Sequence, residues 1–297
     1  MQTYTLEPPG GAPLALCVHE GIGLARASVV MGPAIGVPQQ FYQDFAAWLA
    51  RQGWCVTTFD YRGHGASLKG RPAHARANLF DWASDYEAVV AHARAQLPGR
   101  PLYLMGHSLG AQLPGLFARP GQVDGLLAVA AGSGYLGHIA PRVRRMAPLL
   151  WYGVLPLSTL ACGYFPGRRL RTIGDLPAGV AWQWRRWCLH PRYSAGAEGE
   201  RAERGYAQVR YPITALSMTD DEMMTLAGTE ALLALYSGAP RHIERLGPQD
   251  AGGRHIGHMG FFRPQFESTL WPRAQGVLAQ WAAAWQGGAA PVATTTA

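Results

Sequence analysis

A chain of 297 residues with 48% hydrophobic and 15% charged residues is long enough to bury a generous core without disulfide or metal staples. Its net charge of +7 is carried almost wholly by arginine, Lys69 being the one lysine, and the basic residues form neither a run of five nor a nucleic-acid module, which excludes nucleic acid as a partner. Cys17, Cys55, Cys162 and Cys188 are scattered without a CxxC pair, and Met1–Thr5 has neither the basic nor the apolar region of a secretory leader, so the expected location is the cytoplasm.

Short extended patterns over Thr3–Leu6 and Leu14–His19 open the chain, and the apolar run Ala27–Met31 makes a third strand that ends at Gly32-Pro33. Phe41, Phe45, Trp48 and Leu49 fall on one face of a helix that stops at Gly53. Trp54–Phe59 reads as a buried strand. Asp81 is the expected N-cap of a helix through Leu97, with Trp82, Tyr86, Val89, Val90 and Ala93 inward. Pro101–Met105 is a short strand, a helix starts near Ser108, and Val123–Ala130 is the next strand. Pro114 and Gly115 lie inside the helix after Ser108, which is therefore expected to be short or bent. Ile213–Met218 and His242–Leu246 supply two more strands, and a helix from Phe266 to Trp285 completes the alternation. Repeated strand–helix alternation specifies an α/β fold, with a parallel sheet covered on both faces.

Residues 133–211 break that rhythm. They are rich in Trp, Arg and Pro and read as a cap inserted over the carboxyl edge of the sheet, leaving 1–132 and 212–286 as the core. The Gly/Ala/Thr-rich tail 287–297 is expected to be disordered. Met146–Gly167 carries no charge over a length that suits a membrane span. Pro148, Gly153, Pro156 and Gly163 interrupt it and arginines flank both ends, so a span is not expected.

Gly106-His107-Ser108-Leu109-Gly110 follows an apolar strand and precedes a helical segment. A sharp strand-to-helix turn lifts a serine hydroxyl out of the sheet, small flanking residues permit the tight backbone, and the start of the next segment favours developing negative charge. This spacing in this context points to Ser108 as a nucleophile.

Together with Asp60-Tyr61-Arg62-Gly63-His64-Gly65-Ala66-Ser67 after the fourth strand and Gly257-His258 before the last helix, this motif resembles the α/β-hydrolase superfamily across roughly Ala27 to Trp285. At finer grain the chain is similar to serine-aminopeptidase and monoacylglycerol-lipase-like hydrolases. The resemblance implies a mostly parallel eight-stranded sheet with helices on both faces and an inserted helical cap. It also implies a triad in the order Ser, acid, His. Thr219-Asp220-Asp221-Glu222 follows a strand where the acid belongs; setting Met218 at the family's glycine position makes Asp221 the orienting carboxylate, with Asp220 as the alternative. Of the ten histidines only His255 and His258 follow the last strand, and His258 is the expected base. Both together make a poor metal site, since no Glu or Cys is set around them. Leu109, after the nucleophile, should supply one oxyanion donor. A register that puts the second donor at Pro33 fails, because proline has no N–H, and the shifted register assigns it to Ile35. His64, Asp60 and Arg62 are expected to shape and brace a loop.

The expected chemistry is hydrolysis of carboxylic esters with an apolar acyl group through an acyl-enzyme, without metal or cofactor. Trp151, Tyr164, Trp182 and Trp187 in the inserted segment are the candidate walls of the acyl pocket. Thioester, lactone or amide hydrolysis and acyl transfer use the same triad, and a non-catalytic ligand binder on this fold is the rival of another class. The expected partner is a small apolar ester; association of an Arg-flanked apolar cap with a membrane surface is held as the lesser alternative.

Overall fold

The computed structural model describes residues 1–23 and 25–286. The tail expected at 287–297 lies outside the described residues. The first strands are β1 (Gln2–Leu6), β2 (Leu14–His19) and β3 (Ser28–Gly32), followed by helix α1 (Gln43–Arg51) and β4 (Cys55–Phe59). Helix α2 (Leu79–Gln96) leads to β5 (Leu102–His107) and β6 (Gly125–Val129). The segment after β6 holds α3 (Pro141–Leu149), α4 (Leu155–Cys162), the short strands β7 (Tyr164–Phe165) and β8 (Leu176–Pro177), α5 (Ala178–Leu189), α6 (Tyr193–Glu198) and α7 (Glu200–Gln208). The chain then returns to β9 (Ile213–Met218), α8 (Leu226–Leu235), β10 (Arg241–Leu246), the single turn α9 (Gly257–Gly260) and α10 (Trp271–Gln286).

Eight strands form one sheet in the order β1-β2-β4-β3-β5-β6-β9-β10, antiparallel at β1–β2 and β2–β4 and parallel from β4 onward. Its middle strands β3, β5, β6 and β9 are buried along their whole length, as parallel strands covered on both faces must be. One face packs on Trp82, Tyr86, Val89 and Val90 of α2 and Leu232 and Leu233 of α8. The other packs on Phe45, Trp48 and Leu49 of α1 and Trp271, Leu278 and Trp281 of α10. The fold is therefore the mostly parallel, two-sided α/β sheet that the alternation specifies.

Local differences have physical causes. Helix α2 is capped by Asn78, whose side chain accepts from the Phe80 and Asp81 N–H groups, while Asp81 accepts from the Asn78 N–H; Asp81 is thus the third residue of a capping box, not the cap. After Ser108 no α-helix forms. Two 3-10 turns, Ser108–Ala111 and Leu113–Leu116, stand in its place, because Pro114 has no N–H to continue a helical ladder. The last helix starts at Trp271, not Phe266, with Pro272 in its first turn where a missing N–H costs nothing. Helix α8, absent from the reading by pattern, is capped by the Thr225 hydroxyl accepting from the Gly228 N–H at 3.1 Å.

The loop after β4 is braced from both sides. Asp60 accepts from the Gln39 and Ala66 N–H groups, at 2.8 and 2.9 Å. Arg62 donates through its backbone N–H (2.9 Å) and its Nε (2.8 Å) to Asp85, whose side chain is fully buried. Burial pushes the Asp85 carboxyl up, and the Arg62 guanidinium opposes that shift. Replacing Asp85 by Ala strands a largely buried guanidinium and a backbone donor, which should lower stability by about 3 kcal/mol. Urea unfolding of Asp85→Ala against wild type checks this; a loss below about 0.5 kcal/mol would place the pair among surface ion pairs.

Candidate active site

Strand β5 ends at His107, and Ser108 follows with φ of 51°, in the left-handed region that a β-substituted residue avoids. The surrounding backbone holds that turn. A Cβ at Gly106 would lie 2.4 Å from the Gly110 carbonyl oxygen, and one at Gly110 would lie 1.9 Å from that of Gly32. Neither position has room for a side chain, so the elbow stays tight against β3 and Ser108 is turned out of the sheet.

His258 sits in α9, and its Nδ1 meets Asp221 Oδ2 at 2.9 Å, with both side chains almost wholly buried. The other Asp221 oxygen accepts from the Met223 and Met224 N–H groups, at 2.7 and 2.8 Å, so the carboxylate is fixed from its own turn. Asp220 points elsewhere. It accepts from the Ile256 N–H at 2.8 Å, the Gly257 N–H at 3.2 Å and the exposed His255 ring at 2.8 Å, and so anchors the backbone leading into His258. The His258 N–H donates to Glu222 at 3.0 Å. Three consecutive acidic residues thus hold one loop, and Asp221 alone meets the imidazole. Among the described residues no cluster of three or more His, Cys, Asp or Glu is set to hold a metal ion.

A second buried histidine joins the parts. Nε2–H of His107 donates to the His258 carbonyl at 3.0 Å, and its Nδ1 accepts from the Tyr42 hydroxyl at 2.9 Å. The Tyr42 oxygen in turn accepts from the Ala34 N–H at 2.9 Å. Burial, and then the neighbouring His258, push the His107 pKa down to about 3, so the ring is neutral and has one donor and one acceptor, both used. The loop carrying Ile35 is therefore tied through Tyr42 and His107 to the loop carrying His258. Ile35 follows Ala34, and its own N–H finds no acceptor among the described residues.

Ser108, Leu109, Ile35 and His258 all line one cavity of about 990 Å³. Its walls are apolar, with Val143, Leu150, Trp151, Trp184, Met223, Met224 and Met259 among them. Among the described residues the charged ones that reach it are Arg168 and Arg263, and no carboxylate lines it. Of the four aromatics expected to wall it, Trp151 does so. Tyr164, Trp182 and Trp187 do not: Tyr164 lies in the β7–β8 pair, and Trp187 is buried against Tyr193 with its indole N–H on Glu198 at 2.6 Å. Trp182 packs, half-buried, against the core. Trp184 and the methionines are walls that pattern reading does not mark, since their spacing carries no signal until the acid and base loops are folded beside the elbow.

A tight elbow presenting a serine, an imidazole–carboxylate pair on a following loop, and a parallel sheet with helices on both sides define the architecture of an α/β hydrolase. Comparison with solved structures bears out that fold. A family model described as serine aminopeptidase, S33, matches residues 23–159. Similar solved structures include a soluble variant of monoglyceride lipase from Saccharomyces cerevisiae, with 16% identity over 95% of this chain and 94% of that one and a TM-score of 0.66. They also include a deformylase from Pseudomonas putida, with 18% identity, 90% and 98% coverage and a TM-score of 0.53. A third is α/β hydrolase domain-containing protein 10 from mouse, with 17% identity, 94% and 99% coverage and a TM-score of 0.54.

The buried His107 makes the scaffold of this site pH-dependent. Its folded pKa of about 3 lies below the ordinary value of 6.5, so the unfolded chain binds the extra proton first. The stabilisation is complete above pH 6.5 and is lost as pH falls toward 3. In urea unfolding, the stability lead of wild type over the non-titrating His107→Gln should shrink between pH 7 and pH 5. A constant difference would mean that His107 titrates alike in the folded and unfolded chain.

Proposed function

We propose that this chain is a serine hydrolase that cleaves carboxylic esters with an apolar acyl group. The observation that carries this reading is that His258, held by the buried Asp221 carboxylate, stands on the wall of the same apolar cavity that takes in Ser108. Nδ1–H of His258 donates to Asp221, which leaves Nε2 free to accept the Ser108 proton as Oγ attacks the ester carbonyl. The Ile35 and Leu109 N–H groups receive the oxyanion. His258 then protonates the leaving alcohol, the acyl group rests on Ser108, and water activated by the same imidazole releases the acid.

Residues 133–211 act as a cap in this reading, since α3, the turn after it and α5 contribute much of the apolar wall of the cavity that holds Ser108. That no described residue of the wall is a carboxylate favours an ester over a peptide with a free amino terminus, whose ammonium group would be buried without a counter-charge. The four cysteines are free, which suits the cytoplasmic location in this reading. A monoglyceride lipase among the similar folds supports an acyl ester as substrate.

A fluorophosphonate probe should label the wild type and leave Ser108→Ala unlabelled. His258→Ala should lower kcat by about 10⁴-fold or more, and Asp221→Asn should cost far more than Asp220→Asn. Labelling of Ser108→Ala equal to wild type would overturn the nucleophile assignment. Along p-nitrophenyl esters of growing acyl length, kcat/KM should rise by about three- to fourfold per buried carbon until the cavity is full. A flat profile would show that the apolar wall does not hold the acyl chain.

A further inference from the structure

Helix α3, the π-helical turn Leu150–Val154 and α4 run on without a break from Pro141 to Cys162. One ridge of this rod is anchored: Ala147, Trp151, Leu155 and Thr159, four residues apart, are buried. The opposite ridge has no such cover. Met146, Leu149, Tyr152, Leu157 and Leu160 are each between 62% and 74% exposed. They follow one another at three residues except for the step of five from Tyr152 to Leu157. That step spans the π turn, whose wider winding keeps the two residues in line. Half of the large exposed hydrophobic residues among the described residues lie on this one rod.

The charge around the ridge is equally uneven. Residues 125–174 contain no Asp or Glu but six arginines: Arg142, Arg144, Arg145, Arg168, Arg169 and Arg171. All six are exposed, and none forms an ion pair among the described residues. Once these six are set aside, the other 20 basic residues of the chain stand against 19 acidic ones, so the net positive charge is concentrated in this stretch of the chain; Arg142, Arg144 and Arg145 lie on the rod itself, and Arg168 lines the same cavity as Met146 and Leu149. No helix among the described residues is long and apolar enough to cross a membrane, so the rod does not span one. An exposed apolar ridge rimmed by unpaired arginines is the complement of an anionic bilayer surface, where apolar side chains enter the acyl boundary and guanidinium groups meet headgroup phosphates. A second copy of the chain would bring six further unpaired arginines to the same face.

We propose that the α3–α4 rod docks this protein onto anionic lipid bilayers and that the cavity of Ser108 opens toward the lipid. Met146 and Leu149 belong both to the exposed ridge and to the cavity wall, and Arg168 stands at the same opening. A bilayer-resident ester therefore reaches Ser108 through the docked face without crossing water. The identity of that substrate rests on the ester-hydrolase reading; the docking does not.

Sedimentation of the full chain with sucrose-loaded vesicles tests this. Wild type should bind phosphatidylcholine vesicles containing about 30 mol% phosphatidylglycerol far more tightly than pure phosphatidylcholine. Arg144→Glu with Arg145→Glu should weaken that binding by about 25-fold or more, at about fivefold per arginine. Leu157→Ser with Leu160→Ser should abolish it. Both pairs lie off the cavity wall, so turnover of a soluble short-chain ester should stay within about twofold of wild type, and unchanged thermal unfolding shows that the variants are folded. Ser108→Ala should bind the vesicles like wild type. If Ser108→Ala binds but wild type turns over no ester, the docking stands and the ester-hydrolase reading falls. Equal binding by wild type and the Leu157/Leu160 variant overturns the proposal. So does an absence of vesicle binding, including the case where sedimentation velocity shows a dimer that the same variant dissolves and the face belongs to a second copy.

Discussion

The arrangement of the site depends on one neutral imidazole. His107 has a single donor and a single acceptor, and each is committed to a different loop: Nε2–H to the carbonyl of His258, Nδ1 to Tyr42, which itself receives the Ala34 N–H. The three attachment points come from distant parts of the chain, and only the assembled sheet brings them within one ring's reach. Because the ring is buried, leaving either nitrogen unpaired or charged is costly, and the low pKa of His107 expresses the same fact. The spacing of Ile35, Ser108 and His258 is in this way set by hydrogen bonds that none of the three makes with its own side chain.

The acidic turn shows how adjacent like charges are kept apart in purpose. Asp220 and Asp221, just past the end of β9, take different partners, one the backbone N–H groups of the loop before His258, the other the His258 ring. Glu222 takes the His258 N–H. Each carboxylate is satisfied by donors the fold has already aimed at it, so the loop is rigid before any substrate arrives.

The inserted segment works through the same economy of faces. Its first rod turns Ala147, Trp151 and Leu155 inward onto the core, and Trp151 on that ridge also walls the cavity. The outer ridge is apolar where a surface helix is ordinarily polar. In the docking proposed above, that difference, and not the apolar content of the stretch as such, separates a span from an interfacial element: the prolines and the π turn shape the rod, and the arginines at its ends would meet the surface.

Strand positions and the two-sided sheet were legible in the sequence, since a parallel strand buried on both faces must be a short apolar run and a covering helix must carry an apolar stripe. The glycine-flanked Ser108, the acidic turn after β9 and the Gly-His loop before α10 were legible for a similar reason: each needs particular small or polar residues at a fixed place along the chain. What the sequence left open depends on contacts between segments far apart. Pattern could not say that Asn78 caps α2, because Asn78 and Asp81 are both good caps and only the reciprocal bonds separate them. Nor could it say that Trp184 faces the cavity while Trp187 faces Tyr193, since aromatic residues in an amphipathic segment give no sign of which neighbour will cover them. The choice between Asp220 and Asp221 at the imidazole, and the joining of Tyr42, His107 and His258, were likewise settled by the tertiary structure alone, because hydrogen-bond direction is a property of three-dimensional placement that residue type and spacing do not encode.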